Sequence, residues 1–482
     1  MKTNWKRAIV ALIPLLALVV LLSLDISIFG ADSILGASQV ALLVAAAIAV
    51  GLGIALYKIP WSNFEQALGA NVGGITSAVV ILLLIGAISG TWTVSGVVPT
   101  FICYGLRIIH PKVFLLTACV LCAVVSVMTG SSWTTIATVG VALVGIGRAE
   151  GFSEALTAGA IISGAYFGDK ISPLSDTTVL ASSVNKVPLF EHIHYMYHTT
   201  VPSFAITLII FTVMGFTRGG APDVPEEVYS ASLRACFHIT PWLLLVPAFT
   251  LFLIWKKLPA ILVLALSAFA AVVAALIFQP SLVRSIGEGV ASGSPFRLYF
   301  AGVVESIYNS LKLDTGVAEV NELVATRGML GMLNTIFLII CAMCFGATMQ
   351  ASGMIKDLSA LLQPLTRTRT GLVGSTVVTG TALNGVVSDQ YLSILLTSNI
   401  YRETYEEQGY ESRLLSRSVE DSATVTSPLF PWSSCGMTQA TILSVPTLVY
   451  APFCLFNILS PLMSILVAMI GWKIYKREKP AE

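Results

Sequence analysis

The stretch SGAYFGDKISPLSDTTVLA, residues 163–181, places Asp169, Lys170 and Asp176 between long apolar segments. A charge at mid-membrane costs roughly 2.5 to 3.5 kcal/mol on insertion scales, so these three side chains must face protein, water or an ion rather than lipid. Between them Pro173 removes a backbone donor and pushes Ser172 out of helical geometry. A helix running through here breaks, leaving carbonyls and the hydroxyls of Ser172, Ser175, Thr177 and Thr178 in search of partners. Irregular backbone at membrane depth is tolerated only beside protein or a cavity, and oxygens set among carboxylates are what a cation site requires.

The membrane setting follows from composition. Of 482 residues, 55% are hydrophobic and 11% charged, and mean hydropathy is +0.84, with less than half the charge of a soluble domain. The longest polar stretches, 218–240 and 280–328, are loop-sized. A net charge of +1 argues against nucleic acid as a partner. Lys2, Lys6 and Arg7 precede an apolar run too long for a signal peptide and without a small-x-small exit, so it reads as a first transmembrane helix. Cys119/Cys122 and Cys341/Cys344 have CxxC spacing but sit inside apolar runs without histidine, as buried packing residues do.

Spans are expected at about 8–24, 36–57, 73–94, 113–128, 155–168, 200–217, 241–255, 259–278, 330–350, 371–400 in broken form, 413–434, 440–456 and 458–474, with 59–71 lying at the interface. The segment TGSSWTTIATVG, 129–140, reads either as close helix packing through small residues or as a re-entrant piece whose Ser131, Ser132 and Thr134 lend oxygens to a site. His192, His194 and His198 fall in a predicted interfacial loop, and imidazoles titrate in the range a pH sensor needs. Lysine and arginine placement puts the N-terminus, Lys58, Lys256/Lys257, Arg367/Arg369 and the C-terminal tail in the cytoplasm.

On that orientation 73–94 runs outward and 330–350 inward, yet the two halves share landmarks. Ser95-Gly96 matches Ser352-Gly353 (352 − 95 = 257), Thr129-Gly130 matches Thr379-Gly380 (379 − 129 = 250) and Ser172-Pro173 matches Ser427-Pro428 (427 − 172 = 255). The expected fold is an all-α polytopic membrane protein of two inverted-topology repeats with broken helices, about 11–13 membrane segments in all. Residues 1–58 form N-terminal transmembrane helices, 59–217 the first repeat, 218–328 linking helices with an external loop, and 329–482 the second repeat.

The second half has its own broken segments. LNGVVSDQYLSILL, 383–396, carries Asn384 and Asp389, and SVEDSATVTSPLFPW, 418–432, sets Glu420 and Asp421 ahead of Ser427-Pro428 and Pro431. Hard cations such as sodium take oxygen ligands, which these segments supply with no soft ligand nearby. The plainer reading makes Asp169 with Lys170, and Glu420/Asp421 with Arg413 or Arg417, ion pairs that hold hairpins together. Asp176, Asp389 and Asp421 have no adjacent base and are the stronger Na+ ligands. A partly desolvated carboxylate also binds protons, so proton and sodium exclude one another there, which suffices for exchange. Intramembrane proteolysis would need Gly-x-Gly-Asp or Gly-x-Ser-Gly; Gly168-Asp169 follows Tyr166-Phe167 and the second motif is absent from the chain. A gated channel would use similar oxygens, but paired breaks in an inverted repeat favour a carrier.

These residues resemble a known family. GAYFGDKISPLSDTTVLAS (164–182), TGSSWTTIATVG (129–140), SDQYLSILL (388–396) and EDSATVTSPLFPWSSCG (420–436) are similar to motifs of the NhaC family of sodium/proton antiporters, over nearly the whole chain. The resemblance implies a bacterial inner-membrane exchanger of cytoplasmic Na+ for external H+, with re-entrant hairpins, an elevator-like movement, a homodimer and no cofactor. It carries ion-handling roles onto Asp169, Ser172, Asp176, Thr177 and Thr178 in the first signature and Asp389, Asp421, Thr426 and Ser427 in the second. Some members of the family couple sodium and protons to malate and lactate, or move amino acids. An anionic substrate would want a positive group, and Lys170 is the one such residue inside a motif.

Overall fold

The computed structural model describes residues 5–29, 36–108, 110–218, 226–256, 258–317, 320–321, 324–359 and 365–476. Lys2, Lys257, Arg477 and Lys479, which enter the orientation argument, lie outside them. The described chain is helical throughout, with no strand beyond one antiparallel bridge between Tyr410 and Lys476. Among the described residues seven helices are long and apolar enough to cross a membrane, or nine if each of two bent pairs is one span. That count falls below the expected 11–13 because the elements that break, Glu154–Ile171, Arg369–Val386 and Ser412–Val419 among them, are interrupted and rich in Ser, Thr and Gly. Large apolar side chains such as Ile209, Phe269, Ile277 and Ile470 stay exposed, as a lipid-facing surface requires.

The repeat is visible in where helices start and stop. Thr76–Val94 and Leu333–Ala351 end at Ser95 and Ser352, each followed by a left-handed glycine, Gly96 (φ 85°) and Gly353 (φ 76°). Phe114–Thr129 breaks at Gly130 (φ 66°) and resumes at Ser132, while Arg369–Val386 breaks at Ser388 (φ 60°) and resumes as Gln390–Glu407. Glu154–Ile171 breaks at Ser172–Ser175 and resumes as Asp176–Val184. Ser412–Val419 continues through a π-helical turn, Glu420–Thr424, breaks around Pro428 and Pro431, and resumes as Ser434–Leu443. The starts keep one spacing (390 − 132, 412 − 154 and 434 − 176 are each 258). The expected match of Thr129-Gly130 to Thr379-Gly380 is corrected: Thr379 lies inside the helix Arg369–Val386, and the counterpart of Gly130 is Ser388.

Other boundaries also move. The three histidines lie in the first turns of a long helix, Leu189–Arg218, rather than in a loop, because nothing breaks the chain between Leu189 and Pro202. The spans expected at 440–456 and 458–474 become Ser434–Leu443, which stops at left-handed Ser444, and a pair, Thr447–Phe453 and Leu455–Ile470, bent by 56°.

Small residues set the close packing of the first repeat. Phe114–Thr129 lies so tightly on Glu154–Ile171 that a Cβ on Gly164 would stand 2.0 Å from the Cys119 carbonyl oxygen. Ser126 Oγ donates to the Ala165 carbonyl at 2.5 Å in the same interface, as small-residue packing in membranes allows. Cys119 and Cys122 are free and buried on that helix.

Candidate functional site

Each repeat crosses its two breaks. In the first, a Cβ on Gly130 would meet the Leu174 carbonyl carbon at 2.5 Å, so the left-handed glycine both turns the chain and admits the second break. Ser172 Oγ donates to the Val127 carbonyl at 2.8 Å and accepts from Leu174 N, filling the groups freed ahead of Pro173. In the second repeat Ser434 N donates to the Ser388 carbonyl (2.8 Å) and Trp432 Nε1 to the Gly385 carbonyl (2.7 Å). Non-helical backbone at these depths is thus satisfied internally, as a membrane interior demands.

Carboxylates sit on the helix starts that the breaks create. Asp169 accepts from Ser132 N at 3.2 Å and Ser132 Oγ at 2.7 Å through one oxygen, and from Ser175 Oγ at 2.6 Å through the other. Asp389 caps Gln390–Glu407, accepting from Leu392 N at 3.0 Å, and Ser434 Oγ donates to it at 3.4 Å. Acidic side chains at helix N-termini are stabilised by the free N–H groups and the helix dipole there. The residue at the position of Asp389 in the first repeat is Ser131, which caps its helix in the same way by accepting from Thr134 N at 3.2 Å. Asp176 likewise opens its half-helix, and its counterpart is Ser434.

The breaks of both repeats face one cavity of about 870 Å³. Asp169, Asp176 and Asp389 line it together with Ser131, Thr134, Thr177, Gln390 and Tyr391, and no Lys, Arg or His side chain is on its wall among the described residues. Asp169 and Asp389 are 5% and 6% exposed, whereas Asp176 is open to the cavity. Among the described residues no three His, Cys, Asp or Glu side chains are grouped closely enough to hold a metal ion together. The acids are therefore spread along the wall, and an ion at any one of them would complete its shell from hydroxyl, carbonyl or water oxygens. Such a set suits a hard, weakly held cation.

Asp421, the third expected Na+ ligand, is elsewhere. It is fully buried off the cavity, where Lys170 Nζ donates to it, Thr199 Oγ1 donates at 3.0 Å and Arg417 Nε lies 3.7 Å from its other oxygen. The plainer reading, an ion pair of Asp421 with Arg417, is thus met in part, and the fold adds Lys170 as a second base. The expected pairing of Asp169 with Lys170 is not formed, because consecutive residues of a helix point about 100° apart. Glu420 is fully buried, and neither of its oxygens accepts a hydrogen bond within 3.5 Å, although Thr177 and Thr424 lie near it. Arg413 pairs instead with Glu411 and, at 3.4 Å, with Glu191.

The remaining expected residues hold the breaks rather than line the cavity. Thr178 Oγ1 donates to the Lys170 carbonyl at 2.9 Å, Asn384 Nδ2 to the Ala423 carbonyl (2.7 Å) and Thr426 Oγ1 (3.0 Å), Thr426 Oγ1 to the Ser422 carbonyl, and Ser427 Oγ to the Thr424 carbonyl. Pro428 opens the 3₁₀ turn Ser427–Leu429. His192 is buried with Nδ1 2.7 Å from Ser416 Oγ, while His194 and His198 line a separate small pocket with Glu191 and Arg413. Sequence reading missed Ser434, Tyr391 and Asn71, which line the cavity, and Thr199 and Ser460, which complete the Lys170–Asp421 pair. A repeat spacing of 258 was the signal that could have found Ser434, as the counterpart of Asp176.

Comparison with known proteins bears on what crosses here. The model of a family described as "Na+/H+ antiporter family" matches residues 164–472. The chain is 36% identical over 86% of its length to the malate-2H(+)/Na(+)-lactate antiporter of Bacillus subtilis, covering 85% of that protein. It is 34% identical over 92% to the Na(+)/H(+) antiporter NhaC of Alkalihalophilus pseudofirmus, covering 92% of it. Against the arginine/ornithine antiporter ArcD of Halobacterium salinarum identity is 32% over 97%, covering 93%.

Proposed function

Because the chain belongs to the Na+/H+ antiporter family, we propose that it exchanges cytoplasmic Na+ for external H+ at the carboxylates of Asp169, Asp176 and Asp389. The observation that carries this is one cavity wall with three acids and no described base. Sodium and protons compete for those oxygens, and the protein alternates between conformations that open the cavity to either side of the membrane. Thr177, Ser131 and Thr134, also on the wall, complete the ion's shell, while the Lys170–Asp421 pair holds the second repeat against the first. Ile254 and Leu258 on the wall flank Lys256 in the chain, and the reading of Lys256 as cytoplasmic supports a cavity that opens inward in a bacterial inner membrane.

Exchange of small organic anions, the activity in the name of one relative, is the second reading. It needs a cation at the cavity, and Lys170, the one basic residue inside a motif, is fully buried and donates to Asp421 and to Ser460 Oγ at 2.8 Å. The test is a sodium pulse to proteoliposomes holding a pH dye, with and without malate and lactate on opposite sides. A pH change without either acid is the expected result; a response only in their presence would establish the second reading.

A further inference from the structure

A second pocket, of about 320 Å³, lies away from the ion cavity, where the tail residues 471–476 cross the starts of Leu189–Arg218 and Ser412–Val419. The tail is pinned there: Tyr195 Oη donates to the Lys473 carbonyl at 2.8 Å, Glu411 N donates to the Tyr475 carbonyl at 3.4 Å, and Lys476 bridges to Tyr410. His194, His198, Arg413 and Lys473 line the pocket with Tyr195 and Tyr475. The Arg413 guanidinium stands over the Tyr475 ring at 4.2 Å and pairs with Glu411 and Glu191. The Lys473 ammonium and the His194 ring, both on exposed residues, have no hydrogen bond or ion pair among the described residues. Of the charged groups at the pocket and its tail, Arg413, Lys473 and Lys476 outnumber Glu191 and Glu411 by one (3 − 2 = 1) before either imidazole takes a proton. Free donors and a surplus cation suit a phosphate group.

The surface below the pocket identifies what carries that phosphate. Tyr197, Val201, Ala205 and Ile209 follow His194 at steps of three and four residues, so they lie down one face of Leu189–Arg218, and all are exposed. Leu462, Leu466 and Ile470 form a like stripe on Leu455–Ile470, which packs against that helix. This second stripe leads to Trp472, which His198 meets edge-on with ring centroids 5.3 Å apart. Both stripes end at the pocket. From Tyr197 to Ile209 is 12 residues (209 − 197), about 18 Å along a helix axis, against about 15 Å for one leaflet of a bilayer core. Trp472 and Tyr475, both exposed, stand where aromatic residues meet the headgroups.

We propose that this pocket binds an anionic phospholipid of the leaflet on the side of the tail. Lys473, His194 and Arg413 hold the phosphate, and the acyl chains lie along the two apolar stripes. Ser412–Val419, which carries Arg413, runs on into the π-helical turn that bears Asp421. An occupied site therefore steadies the element through which the two repeats are joined.

The test uses the purified full chain in detergent, with its unfolding midpoint followed as phosphatidylglycerol, phosphatidylcholine or inorganic phosphate is added. A saturable rise with phosphatidylglycerol alone is the expected result. Lys473→Gln combined with His194→Gln should raise the lipid concentration that gives half of that rise by about tenfold, equivalent to about 1.4 kcal/mol. Arg284→Gln, at an exposed base elsewhere, should leave it within about twofold. An equal rise with phosphatidylcholine would mean bulk lipid, and an equal rise with inorganic phosphate a soluble ligand; either overturns the proposal. So would a parental response in the double variant, or an equal weakening by Arg284→Gln. If the double variant does not fold, Lys473→Gln alone decides: a weakening of about threefold supports the site and none overturns it. Sodium enters none of these readouts, so the exchange reading stands or falls separately.

Discussion

Lys170 and Asp421, 251 residues apart in sequence, form a fully buried ion pair that ties the break of the first repeat to the π-helical turn of the second. Arg417 stands 3.7 Å from the free oxygen of the same carboxylate, so one acid serves two buried bases. The two single substitutions are therefore unequal. Lys170→Met leaves Asp421 with Arg417, whereas Asp421→Asn removes the acid from both bases at once. Breaking a buried pair costs about 3–5 kcal/mol, and Asp421→Asn should approach that while Lys170→Met costs less. Thermal unfolding midpoints of the purified protein in detergent check the order, and equal losses would contradict it.

Asp389 and Ser131 occupy the same place in the two repeats and cap their helices alike. Asp389→Ser should thus keep the cap and fold, within about 1 kcal/mol of the parent. It removes a cavity charge, so sodium-driven proton movement should fall by about tenfold or more, a loss of about 1.4 kcal/mol. A variant that melts normally and exchanges at the parental rate would take Asp389 out of the ion path.

Gly130 and Gly353 are both left-handed, but only Gly130 has backbone from another segment where a Cβ would go. Gly353→Ala should cost the conformational penalty alone, about 1 kcal/mol. Gly130→Ala adds a collision with Leu174 that cannot relax without opening the crossing of the breaks. Its unfolding midpoint should be the lower of the two, with exchange lost as well.

How far the sequence discloses this arrangement depends on range. Breaks at Ser172-Pro173 and Ser427-Pro428 are local, since proline dictates them, and both occur where expected. The break at Ser388 is not: a left-handed serine has no local signature, whereas Thr379-Gly380, which repeats the Thr129-Gly130 dipeptide, lies inside a helix. Partner choice is equally remote. For Asp421 the sequence offers Arg417, one helical turn earlier, as a partner, whereas Lys170 arrives from the other repeat and leaves no local sign. Asp169, beside a lysine in sequence, is turned instead toward Ser132, Ser175 and the cavity.

Competition between sodium and protons sets the pH response. A carboxylate must lose its proton to bind sodium, so lowering pH on the sodium side raises the apparent KM for sodium. The maximal rate at saturating sodium should change little over the same interval. Initial rates at several sodium concentrations and two pH values separate these; a maximal rate that falls while KM stays fixed would mean that protons act away from the sodium site.

The most direct test of the account is the sodium-driven pH change of Asp176→Asn in proteoliposomes beside the parent protein. Asp176 opens a half-helix, lines the cavity and is exposed to it, so an isosteric amide removes the charge with little change in shape. Exchange reduced to the level of protein-free vesicles, in a variant that inserts and melts normally, is the predicted result. Exchange at the parental rate would contradict the claim that the cavity carboxylates carry the ions.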